Sequence, residues 1–167
     1  MGWARAMQGH EEEGIAHIRQ GLGAFQATAA NAQPYYLALL AEAYGTSGES
    51  TAGLGVLAEA LVAVDQTGAR VWEAELHRLK GELLLQHVTG GSDEAEACFQ
   101  QALDMARCQQ AKSRELRAAM SLSRLWQQQG KLQEAHDLLA EVYGWFTEGF
   151  DTADLQEAKA LLKELAG

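Results

Sequence analysis

The sequence has little proline and few residues that favour strands. It contains one proline, Pro34, and aromatic residues make up 7% of its 167 positions. β-branched residues are scarce and almost no run alternates with a period of two, whereas the good helix formers Ala, Leu, Glu and Gln dominate. The sequence therefore predicts an all-α protein in which strands are essentially absent.

Basic residues are also few, since 13 Lys and Arg stand against 23 Asp and Glu and give a formal net charge of −10. Nucleic acids and anionic membranes both attract proteins through a basic face, so we expect neither as a partner. No apolar run approaches the roughly 18 residues that a membrane span needs. No signal peptide is visible at the start of the sequence. We expect a cytoplasmic protein with a solvated acidic surface.

Cysteine is rare as well. Cys98 and Cys108 are ten residues apart on one predicted helix, which puts their Cα atoms about 15 Å apart. That distance exceeds the reach of a disulfide. We expect two buried or half-buried free thiols, which fit a reducing compartment.

What the sequence does contain is a helical hairpin that recurs. Between Leu116 and Phe146, apolar residues follow a period of 3.6 on both sides of a tight turn, which is typical of two antiparallel helices. A small residue stands five positions after each turn glycine and lets the paired helices approach closely. The turn glycines are Gly9, Gly48, Gly90 and Gly130, and the small residues are Gly14, Gly53, Ala95 and Ala135.

The regular spacing of these glycines predicts one repeat domain over residues 1–167. We expect hairpins at approximately 1–30, 34–66, 69–110 and 112–148, followed by a closing helix over 152–165. The turn of the second hairpin is expected at 45–50, and the second helix of the last hairpin over 131–148. Pro34 would open a helix at a position where proline is tolerated.

The first predicted helix, which carries Trp3 and Met7, is short. A repeat array normally has a polar cap at its end. We therefore hypothesise that a longer relative continues towards the N-terminus, or that this end self-associates to form a homo-oligomer.

Two hairpins resemble the tetratricopeptide repeat, and a third matches the half of that pattern that lies in the second helix. The period is about 40 residues rather than 34, and the consensus proline between repeats is missing. The resemblance implies a right-handed superhelical array of about four antiparallel hairpins with elongated helices, plus a C-terminal capping helix. The matching patterns are Leu40-Ala41-x2-Tyr44-x3-Gly48-x4-Gly53-x3-Leu57-x2-Ala60, Leu122-Ser123-x2-Trp126-x3-Gly130-x4-Ala135-x3-Leu139 and Ala95-x3-Phe99-x2-Ala102.

A narrower resemblance covers nearly the whole chain. The segments 13–22, 36–44, 72–85 and 143–151 are similar to the C-terminal repeat region of large bacterial signalling proteins. Those proteins carry an ATPase module, often with an adenylate or guanylate cyclase domain or a DNA-binding domain. The resemblance implies a regulatory or scaffold region without catalysis of its own. The cyclase, ATPase and DNA-binding parts are not in this chain, so their activities are not carried over.

Two motifs suggest ligand chemistry, and both have simpler explanations. The run from Gly53 to Ala58 formally fits a dinucleotide fingerprint, but that motif needs a preceding strand, and here the glycines fall inside a predicted helix. His10, Glu13 and His17 share a helix face without a fourth ligand, and a solvated, acidic helix start explains them equally well. We expect no metal, no cofactor and no catalytic residues, because the sequence contains no recognisable nucleophile–base pair or phosphate-binding loop.

A set of aromatic residues between positions 72 and 150 has two interpretations. Its helical spacing favours the core, whereas an exposed patch around Trp145 and Phe150 would be a contact site. The set consists of Trp72, Trp126, Tyr143, Trp145, Phe146 and Phe150.

In a tetratricopeptide-like array the first helices of the hairpins line a concave groove. Its polar residues form either a solvated charged face or a mixed-charge groove that grips a peptide or a partner helix, and we favour the groove. A protein-interaction scaffold follows as the expected function. The alternative is a small-molecule-sensing or self-association module of a transcriptional or cyclase regulator. Counting back from the turn glycines places Tyr35, Ala38, Glu42, Glu75, Arg78, Glu82, Arg117, Ser121 and Arg124 in the groove.

Overall fold

A computed structural model describes residues 2–25, 32–87 and 91–167, and these fold into α-helices. A short 3₁₀-helix over Arg70–Trp72 precedes the fifth α-helix, and no strand occurs in the described ranges. The all-α prediction is confirmed. The helices are α1 (Gly2–Ala6), α2 (Glu11–Phe25), α3 (Gln33–Thr46), α4 (Ser50–Thr67), α5 (Glu73–His87), α6 (Ser92–Cys108), α7 (Lys112–Gln128), α8 (Leu132–Tyr143) and α9 (Ala153–Leu165).

The helices pack as successive pairs. α1 lies on α2, α3 on α4, α5 on α6 and α7 on α8, while α9 covers α7 and α8. First helices also contact each other across the array, α3 with α5 and α5 with α7. The division of the chain into one domain with the expected hairpin limits stays a prediction. Among the described helices, none is long and apolar enough to cross a membrane.

The turn glycines explain the spacing of the repeats. Gly48 and Gly130 have φ angles of +77° and +79°, in the left-handed region where a Cβ would clash. After α7, the backbone N–H of Lys131 returns to the Trp126 carbonyl at 2.9 Å, which closes the turn. Gly9 has the same conformation, with φ +87°. Gly90, the start of the expected turn over 89–93 and the expected helix end and linker over 26–31 lie outside the described residues.

Two expected boundaries are wrong. α3 continues through Thr46, so Gly45 belongs to the helix rather than to the turn; a Cβ there would lie 3.0 Å from Leu83 of α5. α8 ends at Tyr143 instead of residue 148, and Phe146 is therefore not helical. Glycine at position 144 weakens the helix, and the next two N–H groups shift to i→i−3 bonds.

The apolar core consists of two clusters that meet at α5. The N-terminal cluster joins α1–α4 with Leu76, Leu79 and Leu83 of α5, and the C-terminal cluster joins α6–α9 with Leu84. α5 and α6 approach closely where Gly81 faces Phe99, whose side chain is fully buried. A Cβ at position 81 would lie 2.5 Å from the Phe99 ring, so this crossing requires glycine.

Both cysteines are free thiols in different surroundings. Cys98 is buried, and its burial raises the pKa of the thiol. Cys108 is exposed, so the expectation of burial is wrong for this residue. It occupies the last helical position of α6, where the chain leaves the core.

Candidate interaction groove

A concave groove runs across the first helices of successive hairpins and contains a cavity of about 380 Å³. Five residues that the sequence assigns to the groove line this cavity, and five further residues join them. The predicted residues are Tyr35, Ala38, Glu42, Glu75 and Arg117; the additional ones are Trp3, Leu39, Trp72, Leu79 and Asp154.

Glu75 is the centre of an ionic network beneath the groove. Its carboxylate accepts two hydrogen bonds from Arg78, from Nε at 3.0 Å and from Nη2 at 2.7 Å. Arg117 of α7 places Nη1 2.9 Å from the same carboxylate. Nη2 of Arg117 lies 3.7 Å from Oε1 of Glu42 in α3. The network therefore ties together three helices that are not consecutive in the chain.

Arg78 extends this network along α5. It also pairs with Glu82, whose carboxylate accepts a 2.9 Å hydrogen bond from Ser121 of α7. The Arg78 side chain is only 6% exposed, so it contacts its own array and positions Glu75 and Glu82. Ser121 is buried in the same way.

The charges that surround Glu75 decide its protonation. Burial alone would raise the pKa of this carboxyl, but the hydrogen bond and charge of Arg78, with the charges of Arg117 and Arg114, outweigh burial and hold the pKa below its usual value. The pKa of Arg78 is raised by Glu75 and Glu82 despite its burial. Glu75 and Arg78 are therefore both charged at neutral pH.

Arg124 lies apart from this network. It pairs with Glu157 of α9, and both side chains are partly exposed. Its place is the seam between the last hairpin and the closing helix. Arg117 and Arg124, which the sequence treats as similar groove charges, therefore serve different contacts.

Aromatic rings form the wall at one end of the groove. Tyr35 and Trp72 pack with their ring centroids 4.6 Å apart, and the guanidinium carbon of Arg114 lies 4.6 Å from the Trp72 centroid. Trp3 donates its indole N–H to Glu42 at 2.6 Å. α1 therefore turns its tryptophan towards the groove, although the sequence suggested that this helix was an unfinished end.

Three cavity residues that we did not predict from the sequence differ in how strongly the sequence indicated them. Trp72 belonged to the aromatic set but is half-buried beside the groove instead of lying in the core. Trp3 had a weak signal, because it lies in the first helix of a hairpin. Asp154 had none, since the curvature of the whole array brings α9 to the cavity.

The other motifs take structural roles. Gly53 lies inside α4, where a Cβ would meet Leu83 at 2.7 Å, so it serves helix packing. His17 hydrogen-bonds through Nδ1 to the backbone carbonyl of Glu13. In the part of the chain that the structure describes, no three His, Cys, Asp or Glu side chains form a group suited to a metal ion. Trp145 and Phe150 are 58% and 47% exposed, so neither lies in the core; Trp145 packs against Phe146, and Phe150 packs against Tyr143.

Comparison with known proteins adds a sequence relative and a fold. No family model matches the sequence. An uncharacterised protein of Rhizobium meliloti (strain 1021) is 30% identical over 125 residues, which cover 74% of this chain and 12% of that protein. The chain thus spans about an eighth of the length of the curated relative that it matches.

Two crystal structures are similar over almost the whole chain. Both are of a Podosopora anserina kinesin light chain-type protein with nearly identical TPR-like repeats, one of them carrying a single substitution. Their TM-scores are 0.70 and 0.67 at 17% identity, and the alignments cover 98% and 99% of this chain and 81% and 89% of those chains. The chain has a tetratricopeptide-like repeat fold, and the predicted right-handed array of hairpins with a closing helix is confirmed.

Proposed function

We propose that the chain is a non-catalytic scaffold that binds a peptide or a partner protein in its concave groove. Solenoids of helical repeats generally use their concave surface for binding. The observation that carries the proposal is the cavity between α3, α5 and α7, where an aromatic wall meets a network of paired charges.

The network supports binding by fixing the groove before a partner arrives. Glu75 and Arg78 are buried and hydrogen-bonded to each other, so their rotamers need not be ordered on association. A preorganised surface loses less conformational entropy on binding than a mobile one. Tyr35, Glu42 and Arg117 remain partly exposed above this base and would contact the partner.

The proposal extends to the setting in which the scaffold works. The sequence segments that are similar to bacterial signalling regulators, and a match that covers 12% of a much longer protein, support a repeat region of a larger regulator. The net charge of −10 supports a protein or peptide partner rather than a nucleic acid or an anionic membrane. A cytoplasmic location is part of the same proposal.

Peptide display tests the groove while the natural partner is still unidentified. A library of random twelve-residue peptides is selected against the wild type, and the selected peptides are titrated by fluorescence anisotropy. Tyr35→Ala removes one groove ring. Trp145→Ala is the matched control, because it removes an exposed ring that does not line the cavity. Circular dichroism of both variants verifies that they fold.

We expect selected peptides to lose about tenfold or more in affinity for Tyr35→Ala, because aromatic anchors dominate interface energetics, and to keep their affinity for Trp145→Ala. Peptides that depend on Trp145 and ignore Tyr35 would transfer the proposed site to the surface around Trp145. A library from which nothing binds the folded wild type would overturn the scaffold proposal.

A second candidate function is small-molecule sensing, which the cavity itself favours. Its volume of about 380 Å³ lies within the range of roughly 300–1,000 Å³ that is usual for small-ligand sites. A thermal-shift screen of metabolites, followed by small-angle scattering, would test it. A ligand that raises the melting temperature of wild type but not of Tyr35→Ala, and that changes the radius of gyration, supports a sensor.

A self-association module through the N-terminal end is the remaining alternative. Trp3 contacts Glu42 within the same chain, and Met7 lines a second, smaller groove cavity beside Leu79 and Gln86. Light scattering over a range of concentrations tests this alternative directly. A dimer that Trp3→Ala converts to monomer would support it.

A further inference from the structure

The cavity in the groove has walls that suit a positive charge. Trp3, Tyr35 and Trp72 all line it, and the faces of aromatic rings attract ammonium and guanidinium groups. The wall already shows this chemistry within the chain, because the guanidinium of Arg114 lies over Trp72 with 4.6 Å between its central carbon and the ring centroid.

The charges of the lining have the matching sign. Three carboxylates, those of Glu42, Glu75 and Asp154, face one guanidinium, that of Arg117. Arg117 is already engaged, with nitrogens 2.9 Å from Glu75 and 3.7 Å from Glu42. Its charge is therefore largely compensated, and the lining retains an excess of negative charge.

Asp154 is the carboxylate left for a ligand. It is half-buried in the first turn of α9 and lines the same cavity as the aromatic wall. Within residues 2–25, 32–87 and 91–167 it forms no hydrogen bond or ion pair through its side chain. By contrast, Glu42 accepts the Trp3 N–H and Glu75 is saturated by Arg78 and Arg117.

From this arrangement we infer that the cavity receives the cationic side chain of a lysine or arginine in the bound peptide, with the alkyl stem along the aromatic wall and the charge at Asp154. The inference rests on the proposed peptide-binding function and names the partner's chemistry: a basic residue in an otherwise uncharged segment. The acidic surface of the chain favours the approach of such a peptide.

A matched pair of residues isolates the charge. Labelled seven-residue peptide pools carry arginine or its neutral isostere citrulline at the centre, and uncharged residues at the flanking positions. A third pool carries glutamate. Fluorescence anisotropy gives the apparent Kd of each pool for the wild type and for Tyr35→Ala.

We expect the arginine pool to bind about tenfold more tightly than the citrulline pool. Asp154→Asn should remove most of this preference, and Asp154→Lys should abolish it. Asp151→Asn is the control, because Asp151 is an exposed carboxylate three residues earlier that does not line the cavity. This variant should keep the full preference.

The different failures are distinguishable. Equal binding of arginine and citrulline pools, both weakened by Tyr35→Ala, would overturn the cation site and leave the peptide scaffold standing. Preferential binding of the glutamate pool would also overturn it and would assign the cavity to an acidic residue held by Arg117. If no pool binds more tightly to the wild type than to Tyr35→Ala, both the inference and the groove proposal fail.

Discussion

α5 meets its neighbours through two different kinds of seam. Against α6 the contact is apolar and depends on shape, because Gly81 leaves room for the buried ring of Phe99. Against α3 and α7 a set of ion pairs is added to the apolar packing, since Glu75 holds Arg78 and Arg117 and the latter reaches Glu42. One helix thus joins the array by apolar packing on one side and by ion pairs in addition to such packing on the other.

The difference indicates which contact stabilises the fold and which one fixes the relative position of the helices. Burial of apolar surface stabilises without regard to direction. A buried ion pair gains little net free energy, because removing its charges from water opposes their attraction. It is nevertheless costly to break from one side, since the remaining charge stays buried. We therefore expect the ionic seam to fix the groove geometry and the apolar seam to hold the hairpins together.

Breaking the ionic seam from one side should have the largest effect. Glu75→Gln leaves Arg78 buried with a weakened set of acceptors, and we expect the free energy of unfolding to fall by about 3 kcal/mol. Urea denaturation followed by circular dichroism measures the loss. Glu59→Gln, on an exposed position of α4, is the matched control and should change stability by less than about 0.5 kcal/mol.

The double variant Glu75→Leu, Arg78→Met sharpens this test. Apolar residues of similar size replace both buried charges, so the double variant should be more stable than Glu75→Gln alone. A double variant that is less stable than the single one would show that the pair contributes net stability, contrary to our assignment.

Filling the apolar seam should have the next largest effect. In Gly81→Ala the new Cβ would lie 2.5 Å from the Phe99 ring, and overpacking of this kind costs about 2 kcal/mol after the gain in helix propensity. The effect should not depend on salt concentration, because no charge is involved. Gly81→Ala, Phe99→Leu should recover part of the loss, and failure to recover any would argue against the clash.

Acid should destabilise the fold in two separate pH ranges. Burial lowers the pKa of His77 on α5, whose Nδ1 has no hydrogen-bond partner among the described residues. The folded protein therefore binds this proton less readily than the unfolded chain, and the stability due to neutral His77 is lost as pH falls below the ordinary value of 6.5. The pKa of Glu75 is lowered, and so is that of the buried Glu115, which pairs with Arg107 and Lys112. The stability that these two carboxylates contribute is lost only as the pH falls below 4.5.

Unfolding free energies measured between pH 8 and pH 3 should accordingly fall in two steps. His77→Leu should flatten the upper step and leave the lower one. Should the upper step persist unchanged in His77→Leu, another group would have to cause it.

The smallest expected effect comes from a glycine on the outer surface. Gly55 lies in α4 on an exposed position, and a Cβ there would have no heavy atom within 4 Å. Gly55→Ala should raise the free energy of unfolding by about 0.5–1 kcal/mol through helix propensity alone. A loss of stability measured by the same urea titration would contradict this, and would weaken the attribution of the Gly81→Ala effect to Phe99.

The sequence predicts much of the fold because period and turn chemistry are local. Gly48 and Gly130 mark the turns since their left-handed backbone conformation strongly favours glycine. The end of α8 was harder to place, because apolar spacing continues to Phe146 while the helix stops at Tyr143. Gly144 was a signal for this end that the periodicity outweighed.

The groove residues could be predicted only as far as the register of each helix could be predicted. Counting from turn glycines brings Tyr35, Glu42 and Arg117 to the cavity, because the helices of each hairpin cross at similar points. Spacing does not reveal whether a charge is solvated or paired, so the burial of Arg78 was not foreseen. Nor does it reveal the curvature that carries Asp154 to the same cavity.

The position of α5 in both apolar clusters has a consequence for the dynamics of the array. Repeat proteins can open from their ends, one unit at a time, when each unit contacts only its neighbours. Here the opening of either half would expose one apolar face of α5, through Leu79 and Leu83 on one side or Leu84 on the other. The amide hydrogens of α5 should therefore be the slowest to exchange with solvent, and the two halves should lose protection together rather than in turn.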